Sequence, residues 1–152
     1  MGNEIEQDFP QAESWLEKAS DQGNSYAKYS LAKMHLAGLA TQSDEHKAVR
    51  LLRESANDGN GWAQYLLGKF CFRGEHTEKD VAEAERLLSA SANQNNSQAQ
   101  YLLAKLYLCE DGIPRDAEKA LHWLWESVKQ KNQYAQYQLG KIYLEEDTKN
   151  IP

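Results

Sequence analysis

The chain has 152 residues, 41% of them hydrophobic and 26% charged, with a formal net charge of −6. That is enough chain for one domain with a real core. The acidic balance argues against the clustered Lys and Arg on which tight, non-specific nucleic-acid binding relies.

The N-terminal MGNEIEQ lacks the charged and apolar regions of a signal peptide, and Glu6 stands where a myristoylation signal wants Ser or Thr. Residues 1–7 are therefore expected to be a disordered or cloning-derived lead-in. No apolar run approaches the roughly 20 residues of a membrane span. Two cysteines, Cys71 and Cys109, are too few for a disulfide framework. These features together point to a reducing, cytoplasmic setting.

The first helix is expected over 8–22. Asp8 is a good N-cap because its carboxylate accepts orphan backbone N–H groups, and Pro10 sits where a helix start tolerates proline. Gly23 ends it, and a second helix is expected over 24–37, opening near Asn24. The same pair then recurs at 44–58 and 60–73, at 80–94 and 96–109, and at 116–131 and 132–145. The period is 36 residues and has no gaps. It is carried by Ala12, Ala48, Ala84 and Ala120; by Leu16, Leu52, Leu88 and Leu124; and by Asn24, Asn60, Asn96 and Asn132. Tyr29, Tyr65, Tyr101 and Tyr137 follow, and then Lys33, Lys69, Lys105 and Lys141.

Apolar residues spaced three and four apart, as in Ala48, Leu51, Leu52 and Ser55-Ala56, share one helical face. A lone hairpin cannot cover such faces, so neighbours must stack into a solenoid. The expected class is all-α: about eight helices in four 36-residue helix-turn-helix repeats, filling one domain over 8–146. Lys149-Asn150-Ile151-Pro152 resembles the Asp111-Gly112-Ile113-Pro114 linker. Residues 147–152 accordingly read as the start of a truncated further repeat, and an uncapped solenoid end invites end-to-end self-association.

The second helix of each hairpin carries two faces. Ala63, Leu67, Phe70 and Cys71 share the packing side, while Trp62, Tyr65, Lys69 and Arg73 cluster on another. Tyr29 and Lys33, Tyr101 and Lys105, and Tyr134, Tyr137 and Lys141 occupy the equivalent places. Leu121 and Trp125 form a secondary candidate surface, open either to a partner or to a further repeat.

The segments Ala63-Gln64-Tyr65-Leu66-Leu67-Gly68-Lys69 and Ala135-Gln136-Tyr137-Gln138-Leu139-Gly140-Lys141 resemble the Sel-one-like repeat, a relative of the tetratricopeptide repeat. The run from Asp116 to Leu124 does so too. Glu110 and Glu146 depart from that family's pattern where it has glycine, and Lys28 and His35 where it has glutamine and tyrosine. The resemblance implies a right-handed α-α superhelix whose second helices line a concave groove, and a role as a non-catalytic adaptor. The layout also resembles repeat tails of relaxases, the mobilisation proteins of bacterial conjugative elements.

Four stacked copies would place a ladder of tyrosines beside a ladder of lysines. Such a strip suits a protein or extended peptide of acidic character, with aromatic contact area and point charges for carboxylates. The competing reading is that both residue types serve packing inside the repeat, with lysine stems lying over apolar surface.

Catalytic chemistry is not visible. His35, His46, His76 and His122 fit no metal-ligand spacing, and neither cysteine has an activating partner at a recognisable spacing. Gly68-Lys69 lacks the rest of a phosphate loop. No cofactor or metal is expected. Three classes remain: an adaptor; a docking tail of a larger nucleic-acid-processing protein; and, from the resemblance alone, a β-lactamase-like enzyme, which the missing paired cysteines disfavour.

Overall fold

The computed structural model describes residues 6–109 and 111–149. Expectations that fell on residues 1–5, on Glu110 and on 150–152 lie outside those residues. Among the described residues there are eight α-helices and no strand: α1 Phe9–Asp21, α2 Ser25–Leu36, α3 Glu45–Asn57, α4 Gly61–Arg73, α5 Val81–Asn93, α6 Ser97–Leu108, α7 Ala117–Lys129 and α8 Gln133–Lys149. None is long and apolar enough to cross a membrane.

Capping fixes the starts. Asp8, Asp44, Asp80 and Asp116 hold extended backbone and accept the amide three residues on, at 2.9–3.0 Å. Asn24, Asn60 and Asn96 accept likewise from Ala27, Ala63 and Ala99. Asn132 accepts from both Tyr134 and Ala135. Each cap meets donors that the first helical turn leaves unpaired.

The first helix of each hairpin ends in a left-handed residue. This is glycine at Gly23 and Gly59, but Asn95 and Lys131 hold φ of 65° and 62° in the later copies. The amide of the following Asn closes each turn onto Ala19, Ser55, Ser91 or Ser127 six-to-one, as in a Schellman ending. α8 runs through Lys149, into the segment that the sequence pattern assigned to a further repeat.

The chain resolves into two compact units, Met1–Ala63 and Gln64–Pro152. In the first, Ala27, Leu31 and Ala32 of α2 are buried, as are Leu51, Leu52 and Ala56 of α3. Ser55 sits among them and donates its hydroxyl to the Ser25 carbonyl at 2.7 Å. His35 is buried too, in the position Tyr107 takes two repeats later, and its Nδ1 accepts the Asp44 amide at 3.2 Å.

In the second unit, α4 to α8 bury Leu67, Phe70, Leu88, Leu103, Leu106, Leu124 and Leu139. Cys71 belongs to the same core and receives a weak hydrogen bond from Thr77 at 3.8 Å. The linkers are pinned by the Asp80 and Asp116 amides, which donate to the Cys71 and Tyr107 carbonyls at 2.9 Å.

Candidate partner-binding site

In the second unit, α4, α6 and the α7–α8 turn frame an open groove of about 700 Å³. Tyr101 and Tyr134 stand side by side in it, with ring centroids 5.9 Å apart and planes 33° from parallel. Aromatic pairs favour such offset, tilted contact. Tyr65 lines one wall, and Arg73, Lys105 and Lys131 bring cations to it, while no carboxylate lines the groove. Burial, with Tyr134 adding and Arg73 opposing, pushes the Tyr101 phenol above its ordinary value, so it remains a neutral donor.

Ser97, Gln98, Gln130, Asn132 and Gln133 complete the polar lining. Gln130 Nε2 donates to Gln100 Oε1 at 2.9 Å and to Asn95 Oδ1 at 3.1 Å, and Asn132 Nδ2 donates to the Ser97 carbonyl at 3.3 Å.

The candidate residues thus divide. Tyr65, Arg73, Tyr101, Lys105 and Tyr134 meet in the groove; Lys69, Tyr137 and Lys141 belong to the same unit but do not line it. Tyr29, Lys33 and Trp62 lie in the first unit. Trp62 is 48% exposed, and so is Trp125 at 47%, while Leu121 on α7 is half-buried.

The lysine ladder turns partly inward. Lys33, Lys105 and Lys141 lie 5.5, 5.8 and 6.0 Å over Tyr29, Tyr101 and Tyr137, one helical turn earlier in each case. Lys69 breaks the pattern and lies over Phe70 at 5.6 Å. Gln98 falls in the groove as the counterpart of Trp62, and Asn132 as the last of the recurring asparagines, whereas Lys131 is a groove residue that the repeat pattern did not single out. The available signal was Lys131 itself, standing where the first two copies have a left-handed glycine.

The clefts of the first unit differ in charge. One mixes Glu17, Asp21 and Glu54 with Lys28, Lys47 and Arg50, and both its lysines are engaged: Lys28 with Asp58 at 2.8 Å and Lys47 with Glu17 at 3.1 Å. No group of three or more His, Cys, Asp or Glu able to hold a metal occurs among the described residues.

Capped hairpins repeating every 36 residues and presenting an aromatic, cationic groove define a helical-repeat protein. The family model described as the Sel1 repeat matches residues 1–24, 25–60, 63–96, 97–127 and 133–151, and the chain belongs to that family, whose members generally serve as protein–protein interaction scaffolds. No curated protein matches.

Among solved structures, the chain is similar to c5321, a protective antigen of uropathogenic Escherichia coli strains with an SLR fold. The TM-score is 0.86 at 30% identity, over 93% of this chain and 30% of that one. A Sel1 repeat protein from Oxalobacter formigenes shares the fold at a TM-score of 0.85 and 24% identity, over 91% of this chain and 57% of that one. The chain therefore spans less than two thirds of either protein.

After the first, which holds α1, the matched segments begin at or within the second helix of a hairpin. Within them fall the bonds from Ser55 to Ser25, Lys28 to Asp58, Gln94 to Gln64 and Ser127 to Ser97, each joining residues 30 apart.

Proposed function

We propose that the chain is a non-catalytic binding module whose second-unit groove seats an extended, acidic segment of a partner protein. The observation that carries this is the set Arg73, Lys105 and Lys131 beside the Tyr101–Tyr134 pair with no carboxylate among the lining residues, in a chain of net charge −6. Lys105 and Lys131, with Arg73 paired to Glu75 at 3.7 Å, give a local positive charge that steers and orients an anionic ligand. The tyrosines offer rigid contact area with hydroxyls at its edge.

The test is fluorescence polarisation with a fluorescein-labelled peptide of alternating Glu and Tyr, against the same peptide with Lys for Glu. The acidic probe should bind, and Arg73→Glu with Lys105→Glu should weaken it at least tenfold. Equal binding of both probes, or an unaffected double variant, would remove the groove from the proposal. Retardation of duplex DNA in near-physiological salt would instead favour the docking-tail reading, which asks an acidic chain to hold a polyanion.

A further inference from the structure

The linker after α2 is fastened differently from the two that follow it. In those, the Asp80 and Asp116 amides donate to the Cys71 and Tyr107 carbonyls, acceptors that do not titrate. In the first hairpin the Gly38 amide takes the His35 carbonyl at 3.2 Å. The Asp44 amide turns instead to the His35 ring and donates to Nδ1 at 3.2 Å.

That bond fixes the state of the ring. A backbone N–H can only donate, so Nδ1 is bare and the proton of the neutral imidazole sits on Nε2. His35 is 4% exposed, and its Nε2 has no hydrogen-bond partner among the described residues.

The other tether of this linker is titratable as well. The Thr41 amide and hydroxyl both donate to Glu13 Oε2 on α1, at 2.8 and 2.7 Å. The corresponding Thr77 hydroxyl of the next linker goes to Cys71 Sγ and to the Glu78 carbonyl.

Charged groups from both neighbouring helices share the cleft that His35 borders. Glu13 and Glu17 come from α1, and Asp44, Glu45 and Lys47 from the start of α3. Lys47 is held by Glu17 at 3.1 Å. The Thr41 hydroxyl lowers the Glu13 carboxyl and the Lys47 amide lowers that of Asp44; a positive His35 acts on both in the same direction, as His46 does on Asp44. On α2 itself, Lys28 is engaged by Asp58 at 2.8 Å and Lys33 lies over Tyr29.

We infer that His35 is a proton-operated latch on the linker between α2 and α3: its bare Nδ1 holds the Asp44 amide, and its protonated ring lets that amide go. A proton on Nδ1 sets two donors against each other, so the bond is lost. The imidazolium then carries two N–H groups, and the Glu13 and Asp44 carboxylates are the acceptors that share its cleft. Drawing on Glu13 competes with Thr41, so the second tether loosens with the first. The released linker binds the additional proton, and the latched form therefore weakens as pH falls. Imidazole is the side chain suited to this, since its charge ordinarily changes between about pH 5 and 8.

Solvent-exchange NMR of the whole chain over that interval tests the latch, with the Asp80 and Asp116 amides as internal standards. On acidification the Asp44 amide should lose protection at least tenfold relative to Asp80. The loss should run in step with protonation of the His35 ring, followed by its nitrogen shifts, while helical circular dichroism stays constant. At the alkaline end the ring should carry its proton on Nε2. His35→Asn cannot titrate, so in that variant the ratio of Asp44 to Asp80 protection should show no pH step, whatever its absolute value. The comparison within the unaltered chain stands without the variant.

Parallel profiles for Asp44, Asp80 and Asp116 overturn the inference. So does a loss at Asp44 while the His35 ring stays neutral, or a step that persists in His35→Asn. A ring protonated on Nδ1 at alkaline pH overturns it as well. Loss of helix along with the Asp44 protection would mark global unfolding and leave no latch.

Discussion

Ser127 Oγ donates to the backbone carbonyl of Ser97 at 2.8 Å across 30 residues of chain, and Ser55 does the same to Ser25 at 2.7 Å. Both serines are fully buried on helices whose neighbours are alanine and leucine. Their hydroxyls bond the start of one hairpin's second helix to the next helix along. A buried hydroxyl is tolerated there because it has this acceptor.

The two sites should not be equal. Ser55→Ala leaves the Ser25 carbonyl without its serine donor, at a cost of about 1–2 kcal/mol. Ser127→Ala should cost less, because Asn132 Nδ2 still donates to the Ser97 carbonyl at 3.3 Å. Urea unfolding followed by circular dichroism orders the two. A Ser127→Ala loss larger than that of Ser55→Ala would mean that the Asn132 bond contributes little.

Gly68 and Gly140 occupy the same place in the repeat but should respond oppositely to alanine. At Gly140 the added Cβ meets open space, and the gain is helix propensity, about 1 kcal/mol. At Gly68 it would come within 2.9 Å of Leu88 Cγ, an atom near the root of a fully buried side chain. Overpacking of that kind costs about 1–3 kcal/mol and outweighs the propensity gain. Opposite shifts of the urea midpoint are expected; a stabilised Gly68→Ala would show that Leu88 can yield.

The period, the capping aspartates and the apolar faces were legible because each is local chemistry repeated at a fixed spacing. Asp44 reads as a cap from its own neighbours, and the structure gives it the Lys47 amide at 3.0 Å. The groove's far wall was only partly legible: Lys131 belongs to a turn, whose place in space depends on how the hairpins stack. Lys69 shows a further limit: the sequence places it one turn from Tyr65 like its counterparts, yet Phe70 is the ring beneath it.

Acid should weaken the fold through the caps. The Lys47 and Lys119 amides hold the Asp44 and Asp116 carboxylates below the ordinary value of 3.8. A carboxylate depressed on folding contributes stability that is present above its unfolded value and is lost as pH falls through its lower folded one. Glu13, lowered first by its bond from the Thr41 hydroxyl, acts in the same direction. Melting temperature should therefore fall from about pH 5 downward. Asn at 44 and 116 keeps a capping oxygen but removes the titration, so Asp44→Asn with Asp116→Asn should flatten that fall. An unchanged acid slope in the double variant would place the sensitivity in other carboxylates.

Alkali should act through Tyr107. Its hydroxyl donates to Glu85 Oε1 at 2.7 Å in a largely buried setting. Burial first, and then the bond to Glu85, push the phenol up to about 12 from 10.0. A phenol raised on folding contributes stability that is complete below its unfolded value and is lost as pH rises through its folded one. Tyr107 should ionise late, in a step that coincides with loss of helix. Phenolate absorbance and circular dichroism, recorded together, would show that step. Tyr107→Phe removes the late absorbance step but leaves Glu85 without its donor, so that variant should also be less stable at neutral pH. If all eight phenols ionise together near the ordinary value while the helices persist, then the Tyr107–Glu85 bond does not hold in solution.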